Sequence, residues 1–163
     1  MPSLTDFFDY PALKLYPITD SDIESVVKMI NTAYSYQDAA KGRPHTTLPE
    51  QNTKIITCNF YVLTQNAGLI GCVYTEHLDQ TVRFGLLTVI TSWRKRGVAQ
   101  ALITSIENYA RHPNARSVVL DYMSVAQWLS SYYERLGCRE TGDTTSWGTV
   151  TLIHMEKVLH NTS

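Results

Sequence analysis

The hydrophobic pattern of the chain changes its period between Trp93 and Gly97. Before this point, residues 82–90 (VRFGLLTVI) form an apolar and β-branched run typical of a strand. After it, apolar residues recur at helical spacing: Val98, Leu102, Ile106, Tyr109 and Ala110. Pro113 ends this pattern, and a second apolar run follows at 117–121 (SVVLD). Strand, helix and strand in this order predict a parallel pair joined by a right-handed crossover.

Residues 14–34 predict a short strand followed by an amphipathic helix. The strand is expected to start at 14–16 (KLY), and Thr19 is the expected N-cap of the helix. Asp22 then lies at the third helical position, near the positive end of the helix dipole. One helical face collects the apolar residues of this segment: Ile23, Val26, Val27, Ile30, Ala33 and Tyr34.

Two segments lack a regular pattern. Residues 1–13 are too aromatic for a solvated tail, and we expect them to form a strap packed on the domain. Residues 35–49 contain glycine and proline and predict a loop, which is either a lid over a functional site or an ordinary surface excursion. A short helix over 48–56 could follow it.

The central part of the chain predicts a β-hairpin. Residues 58–65 (CNFYVLTQ) are rich in aromatic and β-branched types, and the turn at 66–68 (NAG) leads into a second strand at 69–75. Gly71 is a candidate for a β-bulge in that strand. The residues at 79–80 (DQ) then turn the chain toward the strand that precedes the crossover helix.

The C-terminal part predicts one further helix and one further strand. A second apolar helical stripe comprises Trp128, Leu129, Tyr132, Tyr133 and Leu136. Gly137 is the expected C-cap of this helix. Residues 146–158 predict a strand that completes the sheet, with 143–145 (DTT) turning into it.

Length and charge limit the classes of protein to consider. A chain of 163 residues is expected to form one domain over 1–163. Because 14 Lys and Arg face 15 Asp and Glu, the formal charge of −1 provides no global attraction to nucleic acid or anionic lipid. No apolar run would span a bilayer, and the N-terminus lacks a basic segment followed by an apolar one. We therefore expect a cytoplasmic protein without nucleic-acid or membrane partners, in which any anion site is local.

The cysteines and histidines show no metal-binding spacing. The three cysteines, Cys58, Cys72 and Cys138, are odd in number and contain no C-x-x-C pair. The five histidines include no H-x-x-H or H-E-x-x-H pattern. These residues predict neither a disulfide framework nor a bound metal, and the cysteines are expected to act as small buried apolar residues.

A basic turn lies between the predicted strand and the crossover helix, at residues 91–100 (TSWRKRGVAQ). The first N–H groups of a helix lack partners inside the helix and lie at the positive end of its dipole, so that a phosphate can accept hydrogen bonds from them. Gly97 and the small Ala99 leave room for phosphate oxygens. Three consecutive cations add positive charge: Arg94, Lys95 and Arg96. The turn therefore predicts a phosphate-binding cradle, although it matches neither the P-loop nor the dinucleotide fingerprint.

Arg94, Gly97 and Ala99 form the pattern R-x-x-G-x-A, which resembles the pyrophosphate-binding motif of the GNAT superfamily of acyl-CoA-dependent N-acetyltransferases. In that family the motif follows a sheet strand with an apolar residue five positions before the arginine, and Val89 stands there. A second family motif, similar to Y-E-K-L-G-F, corresponds to residues 133–138 (YERLGC). The resemblance implies a mixed α/β fold: a largely antiparallel sheet with a central parallel strand pair splayed at the cofactor site, and helices on both faces.

The resemblance also implies roles for individual residues. Acetyl-CoA would be the co-substrate, and the main chain at Thr88 and Val89 would line its acetyl-pantetheine arm. The N–H of Val89 is the implied oxyanion donor, which stabilises charge on the thioester oxygen. The phenol of Tyr133 is the implied general acid for the departing thiolate. The backbone amides implied to bind the pyrophosphate belong to Arg94, Lys95, Arg96, Gly97, Val98, Ala99 and Gln100.

Several assignments stay open at this point. The alternative role for Tyr133 is that of a core aromatic, and Tyr132 is the second choice for the acid. The family asparagine seven residues before the tyrosine is Ala126 here, and the aromatic after the glycine is Cys138, which is also badly placed to act as a nucleophile. The base that deprotonates the acceptor is not identified; its candidates are Glu76, His77, Asp121 or water.

Three functions follow from these patterns. The first is transfer of acetyl from acetyl-CoA to a primary amine of a small molecule or peptide, by direct attack in a ternary complex. The second is a non-catalytic acyl-CoA-binding or interaction domain. The third is a nucleic-acid binder that uses the basic turn with Trp93, although the sequence lacks the wider basic patch that such proteins show. The family also suggests a homodimer.

Overall fold

The computed structural model describes residues 3–35, 59–124, 126–147 and 150–159. Seven strands form one sheet in the order β1-β2-β3-β4-β5-β7-β6. They are β1 (Lys14–Pro17), β2 (Asn59–Gln65), β3 (Gly68–Leu78), β4 (Thr81–Val89), β5 (Ser117–Met123), β6 (Arg139–Trp147) and β7 (Val150–Val158). The helices of this part of the chain are α1 (Ile23–Ala33), α2 (Val98–Arg111) and α3 (Trp128–Arg135). None of them is long and apolar enough to cross a bilayer.

The crossover predicted from the change of period is confirmed. β4 and β5 pair in parallel at Thr81 with Ser117, at Val82 with Val118 and at Arg83 with Val119, whereas every other neighbouring pair in the sheet is antiparallel. Beyond Arg83 no described residue of β4 pairs with β5, although both strands continue. The sheet is therefore open between β4 and β5, and the predicted mixed sheet with a splayed parallel pair is the observed one.

The helices cover both faces of the sheet, because successive strand residues point to opposite sides. On the α1 face, three buried helix residues pack on the strands: Val26, Met29 and Ile30. They meet Phe60 and Val62 of β2 and Cys72 and Tyr74 of β3. On the opposite face, called the α2–α3 face, Leu102 and Ile106 join Tyr133 in a larger core. That core contains the alternate strand residues Val82, Phe84, Val118 and Leu120.

The N-cap predicted at Thr19 is present. Asp22 Oδ2 accepts hydrogen bonds from the Thr19 N–H at 3.0 Å and from the Thr19 hydroxyl at 2.8 Å. The turn between them, Asp20–Asp22, is a 3-10 turn that leads directly into α1. The reciprocal cap satisfies donors that the start of the helix would otherwise leave unpaired.

The N-terminal segment packs on α2. Residues Leu4–Phe7 form one 3-10 turn, and the Leu4 side chain is completely buried. The Phe7 ring lies 6.2 Å from the Tyr109 ring and 6.3 Å from that of His112, both at the end of α2. The chain then continues into β1, so that residues 3–13 link the outer strand to the crossover helix.

Two predictions about elements need correction, and others concern residues outside the described ranges. Trp128 is not part of a buried stripe, because its side chain is 61% exposed at the first turn of α3. Residues 143–145 do not form a turn but lie inside β6, so the region 139–158 contains two antiparallel strands rather than one. The proposed lid, the helix after it and Cys58 fall in 36–58, outside the described residues.

Candidate active site

A β-bulge in β4 shapes the open end of the parallel pair. Leu86 and Leu87 together oppose Val73 of β3, and Leu86 has a φ of 51°. The Thr88 hydroxyl donates to the Leu86 carbonyl at 2.9 Å, and the Tyr34 hydroxyl at the end of α1 donates to the Leu87 carbonyl at 2.8 Å. Bulges bend the strand that carries them. This one lies after the last β4–β5 pair, so it turns Thr88 and Val89 away from regular pairing with β5.

The bulge in β4 has no signal in the sequence, which predicts a bulge at Gly71 instead. In β3 the extra residue is Ile70, next to the predicted glycine. Gly71 itself pairs with Val89, and a Cβ atom there would lie 2.5 Å from the Thr88 carbonyl oxygen. The glycine therefore permits a close approach of β3 to the end of β4.

The turn after β4 leads into a helix start that is open. Gly97 precedes the first residue of α2 with a φ of 78°, and a Cβ atom on it would have no neighbour within 4 Å. Its left-handed backbone, rather than a lack of space, favours glycine here. The N-cap residue, Gly97, has no side chain that could cap this helix start. Its first N–H groups are thus directed at the space in front of the turn, where an anion can accept from them.

The three cations of the turn are exposed and differ in their contacts. Arg94 Nε donates to the Val89 carbonyl at 3.0 Å, which ties the turn to the end of β4. The Arg96 guanidinium lies 4.6 Å above the Trp93 ring, at a cation–π distance. Lys95 adopts a positive φ of 61°. The turn therefore concentrates positive charge on a backbone that is held in place.

The N-terminal segment also contacts this turn. The Tyr10 hydroxyl donates to the Arg96 carbonyl at 2.7 Å. An accepted hydrogen bond fixes the direction of that carbonyl, and the peptide plane then fixes the N–H of the next residue, Gly97. Tyr10 precedes the part of the chain that carries the family motifs, and the sequence contains no local signal for this contact.

Tyr133 lies on α3 and faces β4 from the α2–α3 face. Its side chain is 8% exposed, and its ring centroid lies 6.3 Å from that of Phe84, the first β4 residue beyond the pairing with β5. The neighbouring Tyr132 is half-buried, and burial raises the pKa of its phenol. Of the two tyrosines, Tyr133 is therefore the one that the fold places beside the opening in the sheet.

The described thiols are poor nucleophiles. Burial raises the pKa of the Cys72 thiol to about 12 and that of Cys138 to about 11. Cys72 also lies against the Leu86 carbonyl, with its sulfur 3.4 Å from the oxygen. Because the thiolate is the reactive form, neither residue suits covalent acyl transfer. Within the ranges the structure describes, no three His, Cys, Asp or Glu residues are arranged to hold a metal ion.

The three side chains suggested as the base, Glu76, His77 and Asp121, lie in different surroundings. Asp121 on β5 forms hydrogen bonds with the Arg83 guanidinium through Oδ2 and with His154 Nδ1 through Oδ1. His77 Nε2 lies 2.7 Å from the Tyr109 hydroxyl, near the closed end of the β4–β5 pair. Glu76 is opposite Arg83 in the β3–β4 register. The sequence alone does not suggest His154, because its contact with Asp121 depends on the pairing of β7 with β5.

Three solved structures with the same fold have low sequence identity to this chain. Ard1 from Thermoplasma volcanium is 18% identical, with a TM-score of 0.76 over 92% of this chain and 99% of that one. Smu.2055 from Streptococcus mutans UA159 is 23% identical, with a TM-score of 0.74 over 90% and 99%. The ribosomal-protein-S18-alanine N-acetyltransferase from Escherichia coli is 14% identical, with a TM-score of 0.67 over 93% and 96%.

One of the two sequence comparisons identifies the family. Among curated protein sequences there is no significant match to this chain. The family model described as an acetyltransferase (GNAT) domain matches residues 19–159, which include the bulged strand, the basic turn and Tyr133. The chain therefore belongs to the GNAT family of acetyltransferases, whose members use acetyl-CoA.

Proposed function

We propose that this protein is a single-domain N-acetyltransferase that transfers the acetyl group of acetyl-CoA to a primary amine. One observation carries the proposal: the opening between β4 and β5 leads, through the bulge and the basic turn, to an uncapped start of α2. In our proposal the extended thioester of acetyl-CoA lies along this opening, and its phosphate end lies at the helix start.

The phosphate end of the ligand would be held mainly by backbone. In our proposal the left-handed Gly97 lets the N–H groups from Lys95 to Gln100 face a phosphate at the start of α2. The N–H of Arg94, which the family resemblance also implies, instead donates to the Thr91 carbonyl at 3.2 Å. Val98 is buried and anchors the helix in the core, whereas Gln100 is exposed. The positive side chains of the turn add long-range attraction that falls with ionic strength.

The chemical end would lie at Thr88 and Val89. Acetyl-CoA supplies the acetyl group as a thioester. In our proposal the Val89 N–H donates to the carbonyl oxygen of the acetyl group as charge builds on it, and Tyr133 gives its phenolic proton to the leaving sulfur. The inert thiols of Cys72 and Cys138 favour direct attack by the amine over a covalent enzyme intermediate.

The acceptor is proposed only as a class. The Escherichia coli structural neighbour is named for acetylating the alanine of a ribosomal protein. A primary amine on a peptide or small molecule would suit the same chemistry here, because the near-neutral chain makes no strong demand on acceptor charge.

Acetyl-CoA should raise the unfolding temperature of the protein, whereas ATP and NAD should not. A ligand that binds only the folded state stabilises it by RT ln(1 + [L]/Kd), about 2.7 kcal/mol at a hundredfold excess over Kd. Thermal unfolding with each ligand at about 1 mM tests this. No shift with acetyl-CoA would contradict the proposal, and a shift without thiol release in a broad amine panel would indicate a non-catalytic acyl-CoA-binding domain.

Replacing Tyr10 with phenylalanine should weaken acetyl-CoA binding about 2- to 12-fold, the range expected for one net hydrogen bond. The variant keeps the ring but removes the donor to the Arg96 carbonyl, so that the turn loses part of its fixed direction. Isothermal titration with acetyl-CoA measures the change. Tyr16→Phe, in β1, is the matched control and should bind as the wild type does. Equal affinity of Tyr10→Phe and wild type would show that the contact does not position the turn.

A further inference from the structure

The edge of β4 that faces β5 has no strand partner beyond Arg83 among the described residues. The register of β3 and β4 shows which main-chain groups lie on this edge. The Ile90 N–H donates to the Ile70 carbonyl at 2.9 Å, so the next pair, Gly71 and Val89, turns its main-chain groups away from the partner strand. The N–H and the carbonyl of Val89 therefore both point into the opening.

The bulge in β4 adds a second carbonyl to this edge. Thr88 is opposite Cys72, in the pair next to Gly71 and Val89, so the Thr88 N–H is directed at β3. A trans peptide directs its C=O and its N–H to opposite sides. The Leu87 carbonyl shares a peptide with the Thr88 N–H and thus points away from β3, toward the opening.

Side chains engage both of these carbonyls. Arg94 Nε donates to the Val89 carbonyl at 3.0 Å, and the Tyr34 hydroxyl donates to the Leu87 carbonyl at 2.8 Å. A carbonyl left unpaired here would attract water, and its dipole would oppose negative charge on a nearby oxygen. With both acceptors occupied, this part of the edge offers the Val89 N–H, the donor that our proposal assigns to the thioester oxygen.

Tyr34 reaches the edge of β4 from the α1 face, opposite to Tyr133. It follows the last residue of α1, and its N–H donates to the Ile30 carbonyl at 3.0 Å. Its ring packs on the core that α1 forms with β2 and β3. The helix end and this core fix the position of the ring, so that the hydroxyl can hold the peptide between Leu87 and Thr88.

We propose that Tyr34 is a positioning residue for acetyl transfer; this rests on the proposed function. The peptide that its hydroxyl holds is adjacent to the peptide that carries the Val89 N–H. The contact thereby directs this donor at the thioester oxygen before charge develops there. A donor fixed in advance needs no reorganisation as the amine attacks, so the contact stabilises the transition state more than it stabilises bound acetyl-CoA.

The experiment compares Tyr34→Phe with wild type in thiol release from acetyl-CoA. The acceptors are an alanyl peptide, a lysyl peptide and ethanolamine, and the amine with the highest wild-type rate is used throughout. The variant keeps the ring in the core and removes only the hydroxyl. We expect kcat to fall about 10- to 100-fold, because a small misplacement of a catalytic group has effects of this size, with the acetyl-CoA affinity from titration calorimetry unchanged.

Tyr16→Phe is the matched control for this variant. Tyr16 packs on the same core but lies on β1, the outermost strand, which β2 and β3 separate from β4. The control should keep the wild-type kcat and affinity. Thermal unfolding establishes that both variants are folded. If Tyr34→Phe does not fold, Tyr34→Met provides the same test, because a flexible side chain fills the space without a hydroxyl.

The split between kcat and affinity separates positioning from packing. A lower kcat with unchanged acetyl-CoA affinity would support the role of Tyr34. A wild-type kcat in the folded variant would overturn it, and so would a fall in kcat matched by an equal fall in affinity, which would leave the hydroxyl a packing role only. Absence of thiol release by the wild type would instead overturn the proposed function, and this role with it.

Discussion

Tyr133→Phe should lower kcat about 10²- to 10⁴-fold and leave acetyl-CoA affinity unchanged. The phenylalanine ring keeps the edge contact with Phe84, so packing between α3 and β4 is retained. Only the hydroxyl that would protonate the leaving thiolate is lost. Steady-state thiol release measures kcat, and titration calorimetry measures the affinity.

Tyr132→Phe is the matched control for this experiment. It removes a phenolic hydroxyl from the adjacent, half-buried residue of the same helix, whose ring centroid lies 5.2 Å from that of Tyr133. We expect it to retain the wild-type kcat. Equal turnover of Tyr133→Phe and wild type would leave Tyr133 with only a packing role, and a loss confined to Tyr132→Phe would move the acid to the neighbouring residue.

Gly71→Ala should impair both folding and catalysis. The new Cβ would lie 2.5 Å from the Thr88 carbonyl oxygen, and a backbone atom of a paired strand cannot move aside as a flexible side chain can. We expect the free energy of unfolding to fall by about 1–3 kcal/mol, as in other overpacked sites. The displacement of Val89, the register partner of Gly71, should lower kcat by up to about 10²-fold.

Chemical denaturation and steady-state kinetics at a temperature where the variant is folded separate these two effects. Gly68→Ala is the control in the same strand, because its Cβ would lie 3.2 Å from the Gln65 carbonyl oxygen in the hairpin turn, away from β4. A Gly71→Ala variant with wild-type stability and kcat would show that β3 and β4 can separate without disturbing the site.

Features with a local cause were predictable from the sequence. The crossover could be recognised because strand and helix periods differ within a single segment, and the Thr19 cap because its partner Asp22 is three residues away. The basic turn followed for the same reason, since the residues that build it are consecutive. Trp128 was wrongly predicted to be part of a packed stripe, because helical spacing places residues on one face without showing which of them another element covers.

Features that depend on strand register were not predictable. In the β4 bulge Leu86 and Leu87 share one partner in β3, and no residue type within β4 predicts this pairing. The contact between Asp121 and His154 requires β7 to insert between β5 and β6, which reverses the order of the last two strands in the sheet. The Tyr10 contact joins the turn to a segment 86 residues earlier in the chain.

The sequence by itself determined the family, the crossover and the place of the basic turn before α2, because hydrophobic period, caps and consecutive motif residues act over a few positions. Only the tertiary structure decided which tyrosine faces the opening and how the sheet is bent there. It also brought Asp121 and His154 into contact. These features depend on pairings between residues distant in sequence, whose register is determined by packing of the whole sheet.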